Sequence, residues 1–311
     1  MPMAFMALQA APTFIEPSTR HSTTANVAGA GSSRIQRSSV SAAVSRFTRR
    51  DGATIVHGAM ENNTGTPSKQ SLAGLRTLIV GGSGGIGYAV ARAAASAGAL
   101  VTVHGHDPER LASKAATLRE LGGEVSTICA DLSEGEVPES LLDAARSSDV
   151  VVFAYGPFVY KTLAMTEPAD WRLVTLACLA LPGMVASAAA ISMAGRGFGR
   201  ILLFGGTRTD AIRGFKSNAA YAAAKTGLGV VAKSIATEFG PRGVSCAVLC
   251  PGFVDTEYLD PAMKAQLTEA SPRGGLIPSA ELASLACYLV SGGMDLANGA
   301  IIVADRGLHA L

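Results

Sequence analysis

From residue 75 onward, apolar residues fall into short runs separated by longer stretches. The runs hold four to seven residues, as in Thr77-Leu78-Ile79-Val80 and Val150-Val151-Val152-Phe153-Ala154. Runs of that length read as buried strands, and the longer stretches between them read as helices. This pattern predicts strands over residues 77–80, 100–104, 125–130, 150–154, 200–204, 244–250 and 300–303. It predicts helices over residues 84–97, 107–121, about 171–193, 218–239 and 279–291. Asp107 followed by Pro108 gives the second helix an N-cap and a first-turn proline. Short apolar strands separated by helices imply parallel strands joined by right-handed crossovers. The expected fold class is α/β, a doubly wound parallel sheet with ligands outside the carboxyl ends of its strands. No internal repeat is visible.

Before residue 70 the alternation is absent. Ser and Thr are dense, and Arg20, Arg34, Arg37, Arg46, Arg49, Arg50 and Lys69 face only Glu16, Asp51 and Glu61. A segment without an apolar face cannot offset its ordering entropy by burial. Residues 1–70 are therefore expected to be a disordered leader, and residues 71–311 a single folded domain. An Arg- and Ser-rich, acid-poor leader is similar to an organelle transit peptide. A start assigned too early, with Met60 as the true beginning, explains it equally well, and a binding tail is a third reading. The expected location is the cytoplasm, or an organelle matrix or stroma if the leader is a transit peptide.

Composition narrows the classes. Hydrophobic residues make up 48% and charged residues 16%, which suits a large core. A net charge of +2 gives no reason to expect a nucleic acid partner. Cys129, Cys178, Cys246, Cys250 and Cys287 form no CxxC pair and read as reduced core thiols. The five histidines are scattered, so no metal site is expected. Residues 173–193 carry no charge, but Pro182, Gly183 and many small residues favour a buried helix over a membrane span.

Two patterns carry chemistry. The first strand runs into Gly81-Gly82-Ser83-Gly84-Gly85-Ile86-Gly87. Between a strand and a helix, such glycines let the backbone approach a pyrophosphate, which the helix N-terminus attracts. A flexible loop is the plain alternative. The second pattern is Tyr221-Ala222-Ala223-Ala224-Lys225, 134 positions beyond Gly87. A spacing of four puts both side chains on one helix face. A nearby ammonium favours a phenolate, so the tyrosine could exchange a proton with a carbonyl or alcohol oxygen. Pro251-Gly252 ends the strand over 244–250 and reads structurally as a turn.

These residues together resemble the short-chain dehydrogenase/reductase family, over nearly everything from residue 75 to the end. Val80 to Gly87 is similar to its TGxxxGIG fingerprint, with Val80 where Thr is usual. The run of motifs most resembles the 3-oxoacyl-[acyl-carrier-protein] reductase branch. The resemblance implies a Rossmann domain that binds a nicotinamide dinucleotide through Gly81, Ser83, Gly85, Ile86 and Gly87. It further implies adenine contacts from Asp131 and Leu132, a retained glycine at Gly156, and nicotinamide contacts from Pro251, Gly252, Val254 and Thr256. Tyr221 would protonate the oxygen of a ketone as hydride adds to its carbon, while Lys225 tunes Tyr221 and holds the nicotinamide ribose. The second strand ends in His104-Gly105-His106 with no acid to bind a ribose 2′-hydroxyl. His106 falls where NADP-preferring relatives often carry Arg, so NADP(H) is favoured and NAD(H) stays possible.

Further family positions differ: of the usual NNAG run after the fourth strand, which here reads Phe153-Ala154-Tyr155-Gly156, only the glycine survives. Gly206 stands where a substrate-orienting serine is usual, and Thr207, one step on, is either its replacement or a turn residue. Cys178 stands where relatives carry an asparagine that kinks the long helix and helps hold a proton-relay water. The expected partner is a small carbonyl or alcohol substrate, in a pocket walled by Phe158, Tyr160, Phe215, Phe253 and Tyr258 with residues 255–273 as lid. The resemblance also implies a homodimer or homotetramer. The competing function is a catalytically weak NADP(H)-binding sensor or structural protein.

Overall fold

The computed structural model describes residues 71–133, 135–271 and 275–308. The expected leader over residues 1–70 lies outside them. The elements run β1 (Arg76–Val80), α1 (Gly85–Ser96), β2 (Leu100–Gly105), α2 (Pro108–Glu120), β3 (Glu124–Cys129), α3 (Glu139–Ser147) and β4 (Val150–Phe153). Then follow α4 (Pro168–Thr175), α5 (Leu181–Arg196), β5 (Gly199–Phe204), α6 (Ala219–Phe239), β6 (Val244–Pro251) and β7 (Val254–Asp255). The last are α7 (Pro261–Glu269), β8 (Ile277–Pro278), α8 (Ser279–Tyr288) and β9 (Ile301–Ala304). Seven strands form one parallel sheet in the order β3-β2-β1-β4-β5-β6-β9, while β7 and β8 pair separately.

The register explains why the strands are apolar without alternation. Leu78 and Val80 pair with Val151 and Phe153, and all four point into a core shared with α3, α5 and α6. Ile79, Val150 and Val152 point the other way, into a core shared with α1, α2 and α8. Burial on both faces is what a doubly wound sheet demands of its strands. Strand order reverses between β1 and β4, which places a crevice at their carboxyl ends. α2 starts as expected, with Arg110 N–H donating to the Asp107 carboxylate at 2.9 Å.

The long apolar helix is broken, unlike the expectation over 171–193. Between α4 and α5, Leu176–Ala180 forms a π-helical turn in which Leu181 N–H donates to the carbonyl of Leu176, five residues back. Pro182 has no N–H, so the carbonyl of Cys178 gets no α-helical partner from it. The stretch Pro168–Arg196 is long and apolar enough to cross a membrane, but half of its most apolar window is buried in the fold. α5 presents Leu181, Val185, Ala186, Ala189, Ala190 and Met193 to the core. α3 and α7 were not expected; each has only nine residues.

Two contacts fix the crevice end of β1. A methyl group on Gly87 would collide with the carbonyl oxygen of Gly81 and lie 2.8 Å from its carbonyl carbon. Only glycine lets α1 pack so close to the turn. His104, 1% exposed, supplies the second contact. Gly81 N–H donates to its Nδ1 at 3.3 Å, and its Nε2 lies 3.1 Å from the carbonyl of Ala130. Because Gly81 can only donate, Nδ1 accepts and Nε2 carries the proton. One neutral ring thus ties the ends of β1, β2 and β3 together. Burial, partly offset by the bond to Ala130, lowers the His104 pKa to about 4.

Gly87→Ala should therefore cost about 1–3 kcal/mol of stability in urea unfolding, although alanine is the better helix former. His104 should make stability depend on pH. The unfolded chain takes up a proton near the ordinary histidine value of 6.5 and the folded chain only near 4, so stability falls as pH drops through that window. The loss should approach roughly 3 kcal/mol by pH 4. His104→Gln, which keeps an acceptor and a donor without titrating, should flatten that part of the pH profile.

Candidate active site

The glycine turn leaves β1 with Gly81 at φ +79° and enters α1 with Gly85 at φ +51°, both in the left-handed region. A Cβ on Gly81 would lie 2.8 Å from the backbone nitrogen of Tyr155, so the turn rests against the chain leaving β4. Ser83 is buried against Gly105 at the end of β2, and Ile86 packs on the core beneath α1. α1 has no side-chain cap of its own. Its first N–H, on Gly85, instead donates to Oε1 of Glu257 at 2.9 Å. The helix start therefore accepts an anion, as a phosphate cradle must.

The neighbouring strand ends are mixed in character. His106 is exposed, and its carbonyl accepts a long contact from the Cys129 thiol. Asp131 is exposed, and its carboxylate accepts Ser133 N–H at 2.9 Å, the main cause that holds it below the usual carboxylate range. The Leu132 side chain is buried in the core.

α6 carries the tyrosine and lysine. Asn218 precedes it in the left-handed region at φ +61°, a conformation asparagine tolerates, and its carbonyl accepts the N–H of Ala222 at 2.9 Å. Lys225 is 3% exposed, and its Nζ donates to the carbonyl of Phe204 at the end of β5 at 2.8 Å. The same Nζ lies 5.9 Å from the Tyr221 ring centroid. A Cβ on Gly156 would stand 3.2 Å from Lys225 Nζ and 3.0 Å from the Cys178 sulfur. Phe158 meets Tyr221 edge-on with centroids 4.9 Å apart. Gly156, Cys178, Gly206, Tyr221 and Lys225 thus share one corner of the crevice.

Burial dominates the electrostatics of that corner. It pushes the Tyr221 phenol well above the usual tyrosine range and pulls the Lys225 ammonium down. The lowering of Tyr221 by Lys225 that the spacing suggests does not appear. Burial likewise raises the Cys178 and Cys250 thiols, so both stay protonated.

Tyr221 occupies the space beside Gly206. A Cβ on Gly206 would lie 2.8 Å from Cε1 and 3.1 Å from the hydroxyl of Tyr221. The phenol rests where a serine side chain would project. Thr207 turns aside, its hydroxyl donating to the carbonyl of Gly252 at 3.3 Å. Thr209, not anticipated from the sequence, is 2% exposed, and its Oγ1 accepts Gly206 N–H at 2.8 Å and donates to Gly206 O at 2.9 Å. A hydroxyl three residues after a turn glycine was the only available sign of it.

Pro251 ends β6, and a Cβ on Gly252 would lie 2.9 Å from Cα of Asp305. Val254 pairs with Ile277 and packs on the core, while Thr256 approaches Gly85. Of the expected pocket walls, Phe215 and Phe253 are half-buried, and Phe158, Tyr160 and Tyr258 are exposed. Part of the expected lid, residues 272–274, lies outside the described residues.

Comparison with known proteins covers this whole region. A family model described as Enoyl-(Acyl carrier protein) reductase matches residues 81–309. A short chain dehydrogenase/reductase of Colletotrichum higginsianum is 28% identical over 263 residues, 79% of this chain and 96% of the relative. A 3-oxoacyl-[acyl-carrier-protein] reductase of Chlamydia trachomatis is 28% identical over 239 residues, 74% of this chain and 96% of the relative. A crystal structure of a gluconate 5-dehydrogenase from Burkholderia cenocepacia, in complex with NADP and tartrate, superposes with a TM-score of 0.69 at 28% identity. That match covers 78% of this chain and 98% of the other. Sequence match, sheet order and the corner around Tyr221 agree: the chain belongs to the short-chain dehydrogenase/reductase family.

Proposed function

We propose that this protein is an NADP(H)-dependent oxidoreductase that interconverts a ketone and a secondary alcohol, with 3-oxoacyl thioesters as a candidate substrate class. NAD(H) is the second cofactor to test. The observation that carries the reading is the placement of Tyr221 and Lys225 on one face of α6, with Lys225 Nζ bonded to Phe204 O at the crevice. The glycine turn supports it, because its close backbone contacts and anion-accepting Gly85 N–H suit a pyrophosphate. The dinucleotide, when bound, supplies or accepts the hydride. The reductase from Chlamydia and the NADP-bound gluconate 5-dehydrogenase support the substrate class and the cofactor.

In this reading Gly81, Ser83, Gly85, Ile86 and Gly87 hold the pyrophosphate. His106, Asp131 and Leu132 border the adenosine end, and Gly156, Pro251, Gly252, Val254 and Thr256 border the nicotinamide. Tyr221 delivers a proton from its hydroxyl to the carbonyl oxygen and takes one back in the reverse direction. Lys225 holds the nicotinamide ribose and keeps a positive charge near the phenol. Thr207 is the hydroxyl available to orient the substrate oxygen once its bond to Gly252 is exchanged. Met184 and Ile191 on α5 and Val230 on α6 are exposed apolar residues, which suits a homodimer or homotetramer.

A second reading favours a weakly catalytic NADP(H)-binding protein. It rests on Gly206 offering no hydroxyl and on the raised Tyr221 phenol. Tyr221→Phe separates the two. In the oxidoreductase it should lower ketone reduction by roughly 10²–10⁴-fold while leaving NADPH binding intact. No turnover by the wild type across a ketone panel, with binding retained, would establish the sensor instead.

Restoring the missing serine should not help. Gly206→Ser places a side chain against the Tyr221 ring, so steady-state kinetics should show kcat reduced by about tenfold or more. A gain in kcat would show that the phenol has room to move.

A further inference from the structure

The anion seat at the start of α1 is filled by the chain itself. Glu257 Oε1 takes the Gly85 N–H at 2.9 Å, across 172 positions of sequence. An ordinary N-cap comes from the residue next to the helix, but here that residue is Gly84, which has no side chain to offer. Tyr258 fills the adjoining space. A Cβ on Gly84 would collide with its hydroxyl and lie 3.0 Å from its Cζ, and a Cβ on Gly85 would lie 3.0 Å from its Cε2. The donor and the space left by the glycines are both taken.

Among the described residues Glu257 makes no ion pair. Glu257 and Tyr258 are both exposed, and the nearby Lys264 pairs with Asp255 at 2.6 Å, not with Glu257. A carboxylate bonded to a helix N-terminus at the surface is a modest interaction, small enough to be exchanged for a doubly charged ligand. A phosphate and a carboxylate cannot share one N–H, and like charges at that distance repel.

We propose that Glu257 and Tyr258 form a displaceable plug on the phosphate cradle, a carboxylate and a phenol that the cofactor's pyrophosphate must push out to bind. The inference rests on the cofactor reading above. It links the two halves of the site, because the plug belongs to the segment between β7 and α7 that borders the substrate crevice. Cofactor entry then moves the start of the lid, and a lid held on the turn excludes the cofactor.

The test is a fluorescence titration of the full chain with NADPH and with NADH. It compares wild type, Glu257→Gln and Tyr258→Ala, alongside amide hydrogen exchange at residues 256–260. Each variant should bind NADPH about fivefold more tightly. Tyr258→Ala is the decisive one, since it changes no charge. Saturating NADPH should speed exchange at residues 256–260 of the wild type. Binding by the variants alone would support a tighter plug. Saturable wild-type binding that Tyr258→Ala leaves unchanged or weakens overturns the plug and leaves the cofactor reading standing. No saturation by any of the three proteins overturns both.

Discussion

The carbonyl of Gly81 and the α-carbon of Gly87 sit closer than any side chain would permit, and the site is built around that contact. It presses the first turn of α1 onto the end of β1, so the helix dipole opens at the point where the strand order reverses. His104 braces the same turn from the side, trading one hydrogen bond with Gly81 and one with Ala130. A charged imidazole could not do this, because a protonated Nδ1 has no lone pair for Gly81. The low pKa of this ring is thus a structural requirement before it is a pH response. Tyr155, pressed against Gly81, passes the constraint to the chain leaving β4, and through Gly156 to Lys225 and Cys178.

Much of this was legible because it depends on local sequence. A parallel strand covered on both faces must be apolar along its whole length, and the runs near Ile79, Val152 and Leu202 announce that directly. Glycines between a strand and a helix, and a tyrosine four residues before a lysine, are likewise local patterns. What escaped depends on contacts across distance. Glu257 and Gly85 are 172 positions apart, and no periodicity connects them. His104 and His106 stand together at the end of the second strand in the sequence, yet one is buried and the other exposed. The π-helical turn escaped for a different reason. An uninterrupted apolar run reads as one helix, and only the missing N–H of Pro182 hinted that it would break.

Gly206 and Cys178, two of the positions at which the sequence departs from the pattern it resembles, border the same phenol and lysine. Gly206 offers no hydroxyl, and the Tyr221 ring lies against its backbone and meets Phe158 edge-on. Cys178 lies in the π-helical turn, and its thiol bonds to Pro157 O at 3.5 Å. Burial is the largest influence on both groups, raising the Tyr221 phenol and lowering the Lys225 ammonium. A drier corner strengthens any charge that does form beside Lys225. The cost is a phenol that gives up its proton reluctantly. Such a balance favours protonation of a substrate oxygen only where the developing negative charge is itself held close to Lys225.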